Sequence, residues 1–124
     1  MWTKKISGII EYQYESPMSL SDCITICLDI WEQLAASGAE FKPSTNLLND
    51  CAACQYARDH NPHDMCSCCP FEWSINPKEG ATQGRPSACL YLNSLYDEWW
   101  GSNTESKRRY WARRVVERVK GIDK

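Results

Sequence analysis

At 124 residues and a formal net charge of −2, the chain is expected to be one domain with a modest core, and its slight acidity argues against strong non-specific affinity for DNA. The charge is unevenly spread. Residues 1–104 hold 6 Lys and Arg against 13 Asp and Glu, net −7, whereas residues 105–124 hold 8 against 3, net +5. The most apolar segments are interrupted by Asp29, Glu32 or Asp97, so no stretch is long enough to span a membrane.

Six Trp and six Tyr are more aromatic surface than so small a core absorbs, which points to an aromatic contact face. Eight cysteines admit two frameworks, four disulfides in a secreted scaffold or thiolates on a metal. The first ten residues, Met1 to Ile10, lack an apolar signal core and a small-residue cleavage site. A reducing cytoplasm with thiolates on zinc is therefore expected.

Residues 1–18 read as an N-terminal arm. From Lys5 to Tyr14 the sequence alternates partly in the two-residue rhythm of a half-buried strand, with Tyr12 and Tyr14 on one face, predicting a short strand or hairpin. Ser16-Pro17 breaks it. Ser19 followed by Asp22 forms a helix-capping arrangement, and Leu20, Cys23, Ile24, Cys27, Ile30, Trp31 and Leu34 recur at helical spacing. A helix over 19–38 follows, stopped by Gly38. Cys23 and Cys27 lie on its buried stripe and read as small core hydrophobes rather than ligands.

After a connecting segment over 41–49, Cys51-Ala-Ala-Cys54 and Cys66-Ser-Cys-Cys69 form two Cys-x-x-Cys pairs within residues 51–69. That is the spacing of two zinc knuckles, because each tight turn aims two thiolates at one ion and the pairs together close a tetrahedral shell. The expected ligands of Zn2+ are Cys51, Cys54, Cys66 and Cys69, with Cys68 or Cys89 as substitutes. A closed shell leaves no open position for substrate, so the metal would serve folding. His60 and His63 flank an Asn-Pro turn and are read as loop residues.

Residues 71–84 carry loop punctuation, and a helix is expected over 86–100, with Cys89 near its start and Gly101 as its stop. The last helix, over 104–120, sets Trp111, Ala112, Val115, Val116, Val119 and Ile122 against an otherwise basic surface. The fold class expected from these parts is α+β and mostly helical: a small domain of about three helices, a short N-terminal strand or hairpin, and a loop region stapled by a four-cysteine zinc site.

Taken together, Trp31-x-x-Leu-Ala-x-Ser-Gly38, Cys51-x-x-Cys-x-Tyr-Ala57, Cys66-x-x-Cys-Pro70, Cys89 and Tyr96-x-x-Trp99 resemble a loose group of small cysteine-rich bacteriophage proteins over residues 31 to about 116. The resemblance implies a phage or prophage accessory protein in the bacterial host cytoplasm. Such proteins commonly bind and inhibit a host machine, including immune nucleases.

Three function classes are weighed. The first is a non-catalytic module whose acidic, aromatic surface, including Glu72, Trp73, Glu79 and Trp100 with Asp97 and Glu98, docks on a basic host protein. The second places nucleic acid on Arg108, Arg109, Arg113, Arg114 and Arg118 of the last helix, with Tyr110 or Trp111 stacking on bases; the competing use of those charges is pairing with the chain's own acidic body. The third, an enzyme, is not expected. The sequence holds no Gly-rich phosphate loop, no His-Glu-x-x-His and no deaminase signature.

Overall fold

The computed structural model describes residues 2–6, 8–63, 70, 71, 73 and 94–122. The domain is small and mostly helical. Its N-terminus is an antiparallel hairpin of β1 (Trp2–Ile6) and β2 (Ile9–Gln13), paired from Trp2 opposite Gln13 to Ile6 opposite Ile9. Gly8, at φ +82°, supplies the left-handed backbone that the turn requires. The pleat then directs Ile10 and Tyr12 into the core and leaves Ile9 outward.

The outer edge of β2 is covered by residues 44–46. Ile10 donates its N–H to the Ser44 carbonyl at 2.9 Å. Asn46 continues the ladder with its side chain: its Oδ1 accepts the Tyr12 N–H at 2.8 Å and its Nδ2 donates to the Tyr12 carbonyl at 2.9 Å. One amide thus satisfies both backbone groups of a buried residue that would otherwise lie on an open strand edge. The Tyr12 hydroxyl donates to Asp29 at 2.5 Å and ties the hairpin to the first helix.

That helix, α1 (Leu20–Ser37), is the centre of the domain. Ser19 caps its start by accepting the Asp22 N–H at 3.0 Å, and Gly38 ends it in the left-handed conformation. Cys23, Ile24, Ile26, Cys27, Ile30, Trp31 and Leu34 are buried, a stripe broad enough to face more than one neighbour. One side meets α2 (Ala52–His60), the other α4 (Glu105–Lys120), which contributes Ala112, Val115, Val116 and Val119. The short α3 (Leu95–Trp100) packs on α4 and completes the core with Leu95 and Trp99.

Of the predicted helix over 86–100, α3 covers Leu95–Trp100. Ser94 is extended and accepts the Asp97 N–H at 2.9 Å, so the capping signal Ser94-x-x-Asp97 sets the start at Leu95. The Pro86-Ser87 start lies outside the described residues. Along 55–60, read in sequence as part of the loop between cysteine pairs, the chain is helical.

Trp31 sits at the middle of an aromatic cluster. Its ring is edge-on to Trp99 at 5.1 Å and to Tyr96 at 6.1 Å, and tilted against Trp73 at 6.1 Å; Phe71 closes the far side of Trp73 at 5.9 Å. These edge-to-face contacts add to the large apolar area that each ring removes from water.

Two consequences can be measured by denaturant unfolding. Trp99→Ala should cost about 3 to 5 kcal/mol, since it opens a cavity against Trp31 and Tyr96. Gly38→Ala should cost more than about 1 kcal/mol, because it places a Cβ at φ +68° against the Glu105 and Arg109 side chains.

Candidate functional site

Of the four cysteines among the described residues, Cys23 and Cys27 are buried on α1, and Cys51 packs against the same core from the start of α2, with Cys54 one turn on. The α2 side is prepared by an unusual piece of backbone. Asn49 and Asp50 take positive φ angles of 54° and 51° in succession, which reverses the chain just before Cys51. Asn and Asp tolerate this conformation better than other non-glycine residues. The Asp50 carboxylate holds the turn by accepting the Thr45 N–H at 2.8 Å and its hydroxyl at 3.2 Å.

Cys51 emerges as the N-cap of α2 and Cys54 follows in its first turn. The Cys51 carbonyl accepts the Gln55 N–H at 3.1 Å. The far end of α2 is fixed by Asp59, which accepts the Met18 N–H at 2.8 Å, and by His60, whose Nε2 donates to the Met18 carbonyl at 2.9 Å. His60 is thus a structural latch, and His63 is exposed beyond the helix.

A hydrogen bond with Cys54 pulls the Cys51 thiol down to about 6 against the opposing effect of burial, helped by the charge of Lys42 and the backbone N–H groups of Cys54 and Ala53. Across the contact, Cys23 and Cys27 stand one helical turn apart on α1, both buried. Burial pushes the Cys27 thiol well up, as do its hydrogen bond with Cys23 and the nearby charge of Cys51; the Ala53 N–H acts against this rise.

The expected ligands are divided by the boundary of the described residues. Cys51 and Cys54 are together; Cys66, Cys68, Cys69 and Cys89 lie outside. Among the described residues, no group of three or more His, Cys, Asp or Glu side chains is arranged to hold a metal ion as it stands. As donors the thiols fit a thiophilic ion such as Zn2+, because thiolates are its preferred ligands in structural sites. Sequence reading placed Cys23 and Cys27 on a buried stripe but could not show what that stripe faces.

The expected contact residues separate as well. Trp73 is only 3% exposed and packs on Trp31, Phe71 and Tyr96, so it belongs to the core and is removed from the contact face. Trp100 is 59% exposed and stands 6.4 Å from the ring of Phe41, itself 67% exposed. Phe41, which the sequence reading passed over as part of a connecting segment, makes this an aromatic pair. Glu40, Asp97 and Glu98 neighbour the two rings in the chain; Glu72 and Glu79 lie outside the described residues.

The basic helix uses part of its charge internally. Arg108 donates from Nε to the Gly38 carbonyl at 2.7 Å and lies 3.9 Å from the Glu40 carboxylate. Arg109 pairs with Glu105 one turn earlier, and Lys120 lies 3.7 Å from Glu32 on α1. Arg114 covers the rings of Tyr110 and Trp111 at 5.9 and 5.7 Å and donates to the Tyr110 hydroxyl at 3.1 Å. Arg118 is half-buried and Arg113 exposed.

No family model, curated protein or solved structure matches the chain. No helix of the described residues is long and apolar enough to cross a membrane.

The turn before Cys51 yields a direct test. Asp50→Ala should destabilise the protein by about 1 to 3 kcal/mol, through the orphaned Thr45 N–H and the strain of alanine at positive φ. Asp50→Asn retains an acceptor and tolerates that φ, so urea unfolding should show the smaller loss for the asparagine variant.

Proposed function

We propose that this chain is a non-catalytic, zinc-stabilised phage or prophage accessory protein that binds a host protein in the bacterial cytoplasm, acting as a counter-defence inhibitor of a host nuclease system. The observation that carries the binding role is the exposed pair of Phe41 and Trp100 beside acidic residues, in a domain that buries Trp31, Trp73 and Trp99. Large exposed aromatic rings are enriched as anchors at interface centres, where a partner pocket removes them from water. Glu40, Asp97 and Glu98, close to the two rings in the chain, together with the net −7 of residues 1–104, suit a basic partner surface, such as a channel that normally takes phosphates.

Zinc has a supporting role in this reading. Cys51 and Cys54 hold it from the start of α2, with Cys66 and Cys69 as the second pair expected from spacing. The ion would fix the chain between the hairpin and α3, and a closed thiolate shell would carry no chemistry.

A second reading, nucleic-acid binding by α4, is favoured by one feature: Tyr110 is exposed beside Arg114, with exposed Arg113 adjacent in sequence. The internal engagement of Arg108 and Arg109 reduces the charge left for phosphates. Charge reversal at Arg113 and Arg114 separates the two readings. It should abolish any salt-sensitive binding to DNA or RNA if the second is right, and leave capture of the host protein unchanged if the first is.

The leading reading is checked by affinity capture from a bacterial lysate. Trp100→Ala and Phe41→Ala should each lower affinity for the captured protein by at least about 2 kcal/mol while unfolding remains near wild type. Trp73→Ala should instead destabilise the fold by about 3 to 5 kcal/mol. Complex formation should also weaken steeply as salt is added.

A further inference from the structure

The segment that follows α1 is pinned residue by residue to α3 and α4. Arg108 holds the Gly38 carbonyl and lies 3.9 Å from the Glu40 carboxylate, and Phe41 meets Trp100. The Lys42 ammonium stands over the Tyr96 ring, 5.2 Å from its centre, and donates to the Asn49 carbonyl at 3.0 Å. Phe41 and Trp100 are therefore carried on anchored backbone, although both rings are mostly in water. Their centres are 6.4 Å apart and their planes are inclined at 65°. Rings so placed form two walls of an open corner, small enough for one cation to lie within about 6 Å of both ring centres. We propose that this corner is a binding site for a cationic side chain, and that its occupant is an arginine presented by the basic partner protein. This rests on the host-binding reading above and names the chemistry of the contact.

Two independent observations support the assignment. The first is how the chain treats its other partly exposed rings. Lys42 covers Tyr96, and Arg114 covers Tyr110 and Trp111, whereas among the described residues no cation stands over Phe41 or Trp100. The two cations that could reach the corner from its own segment are committed elsewhere, Lys42 to Tyr96 and Arg108 to the end of α1. The second is charge. The Glu40 side chain is 67% exposed and its pairing with Arg108 is long, so its carboxylate, next to Phe41 in the chain, is left to meet a second cation. Glu98 lies two residues before Trp100.

The same features select among occupants. A leucine would gain apolar area on the two rings but make no use of the negative charge, and a phosphate would be repelled by it. An ammonium is strongly hydrated and gives up more on leaving water. A guanidinium is flat and weakly hydrated, so it stacks on one ring while its edge donates to a carboxylate.

The test titrates the full chain with a short synthetic peptide that carries three arginines spaced by glycine. The same peptide with citrulline, an uncharged isostere, or with leucine at those positions serves for comparison. The readout is the Trp100 indole N–H resonance, identified by its loss in Trp100→Phe. The arginine peptide should shift it saturably with a Kd of about 1 to 10 mM, as expected of one exposed contact, and bind at least about fivefold more tightly than either comparison peptide. Phe41→Leu keeps an apolar side chain and the net charge but removes one ring face, and should weaken arginine binding about two- to fivefold. Equal or tighter binding of the citrulline or leucine peptide, arginine binding unchanged in folded Phe41→Leu, or no shift at about 10 mM peptide overturns the assignment. Should Phe41→Leu not fold, the three peptides on the wild-type chain decide. Capture of the host protein by Trp100→Ala separates this assignment from the reading beneath it. Capture lost without a preference for arginine overturns only the choice of occupant; an arginine preference with capture unchanged overturns the interface reading, and with it the partner named here.

Discussion

The burial of Trp31 constrains the rest of the domain. A tryptophan in the middle of an 18-residue helix can be removed from water only if other elements surround it, and α1 lacks the area to do so alone. Trp99 and Tyr96 of α3 and Trp73 from the preceding segment form the enclosure. Because Trp99 belongs to a helix of six residues, far too short to persist alone, α3 depends on this packing as much as Trp31 depends on α3. The α3–α4 corner is fixed by the same contact, and with it the position of Trp100 at the exposed end of the short helix.

A second constraint operates at the opposite end of α1. The hairpin, residues 44–46 and α2 are joined mainly by polar groups whose loss would strand a buried partner: Asn46 on Tyr12, Asp50 on Thr45, Asp59 and His60 on Met18. These bonds explain how a loop of small and polar residues delivers Cys51 to one place. The two strained residues before it persist because their neighbours over-determine them, which is the usual setting of a functional turn. Apolar packing at one end and polar latching at the other hold α2 against α1.

The parts of this fold that were legible in the sequence are those set by local rules. Ser19 and Gly38 mark the ends of α1 because capping and left-handed termination need only a few adjacent residues. The stripes of α1 and α4 follow from helical periodicity alone. What failed to show was set at long range. Trp73 and Trp100 both stand next to a glutamate or another aromatic residue in the chain, and only the packing of Trp31 decides that one is core and the other surface. The cap of α3, Ser94-x-x-Asp97, is by contrast a local pattern lying inside the predicted segment 86–100. For the cysteines, regular spacing drew attention to Cys51, Cys54, Cys66 and Cys69, whereas the packing of Cys51 against the core that holds Cys23 and Cys27 is a fact of tertiary structure that no spacing encodes.

The charge asymmetry finds part of its explanation in the same packing. A basic helix laid against an acidic body can satisfy itself, and α4 does so where it crosses α1: Arg108 reaches the Gly38 carbonyl and Glu40, and Lys120 reaches Glu32. Exposed pairs of this kind contribute little stability individually, about 0 to 1 kcal/mol, but they set the register in which α4 lies on α1. They also consume cations that would otherwise offset the acidic surface from a distance. The half-buried Arg108 matters most, since its guanidinium is held by the carbonyl that ends α1 and cannot swing out to meet a phosphate without leaving that carbonyl unpaired. The surface left to an external partner therefore has two characters: a stretch of α4 around Tyr110 and Arg113, and the aromatic pair of Phe41 and Trp100 with the carboxylates near it. Among the described residues, the second carries the two most exposed large apolar side chains, and buried aromatic anchors joined to charge steering are what give a protein interface both affinity and rate.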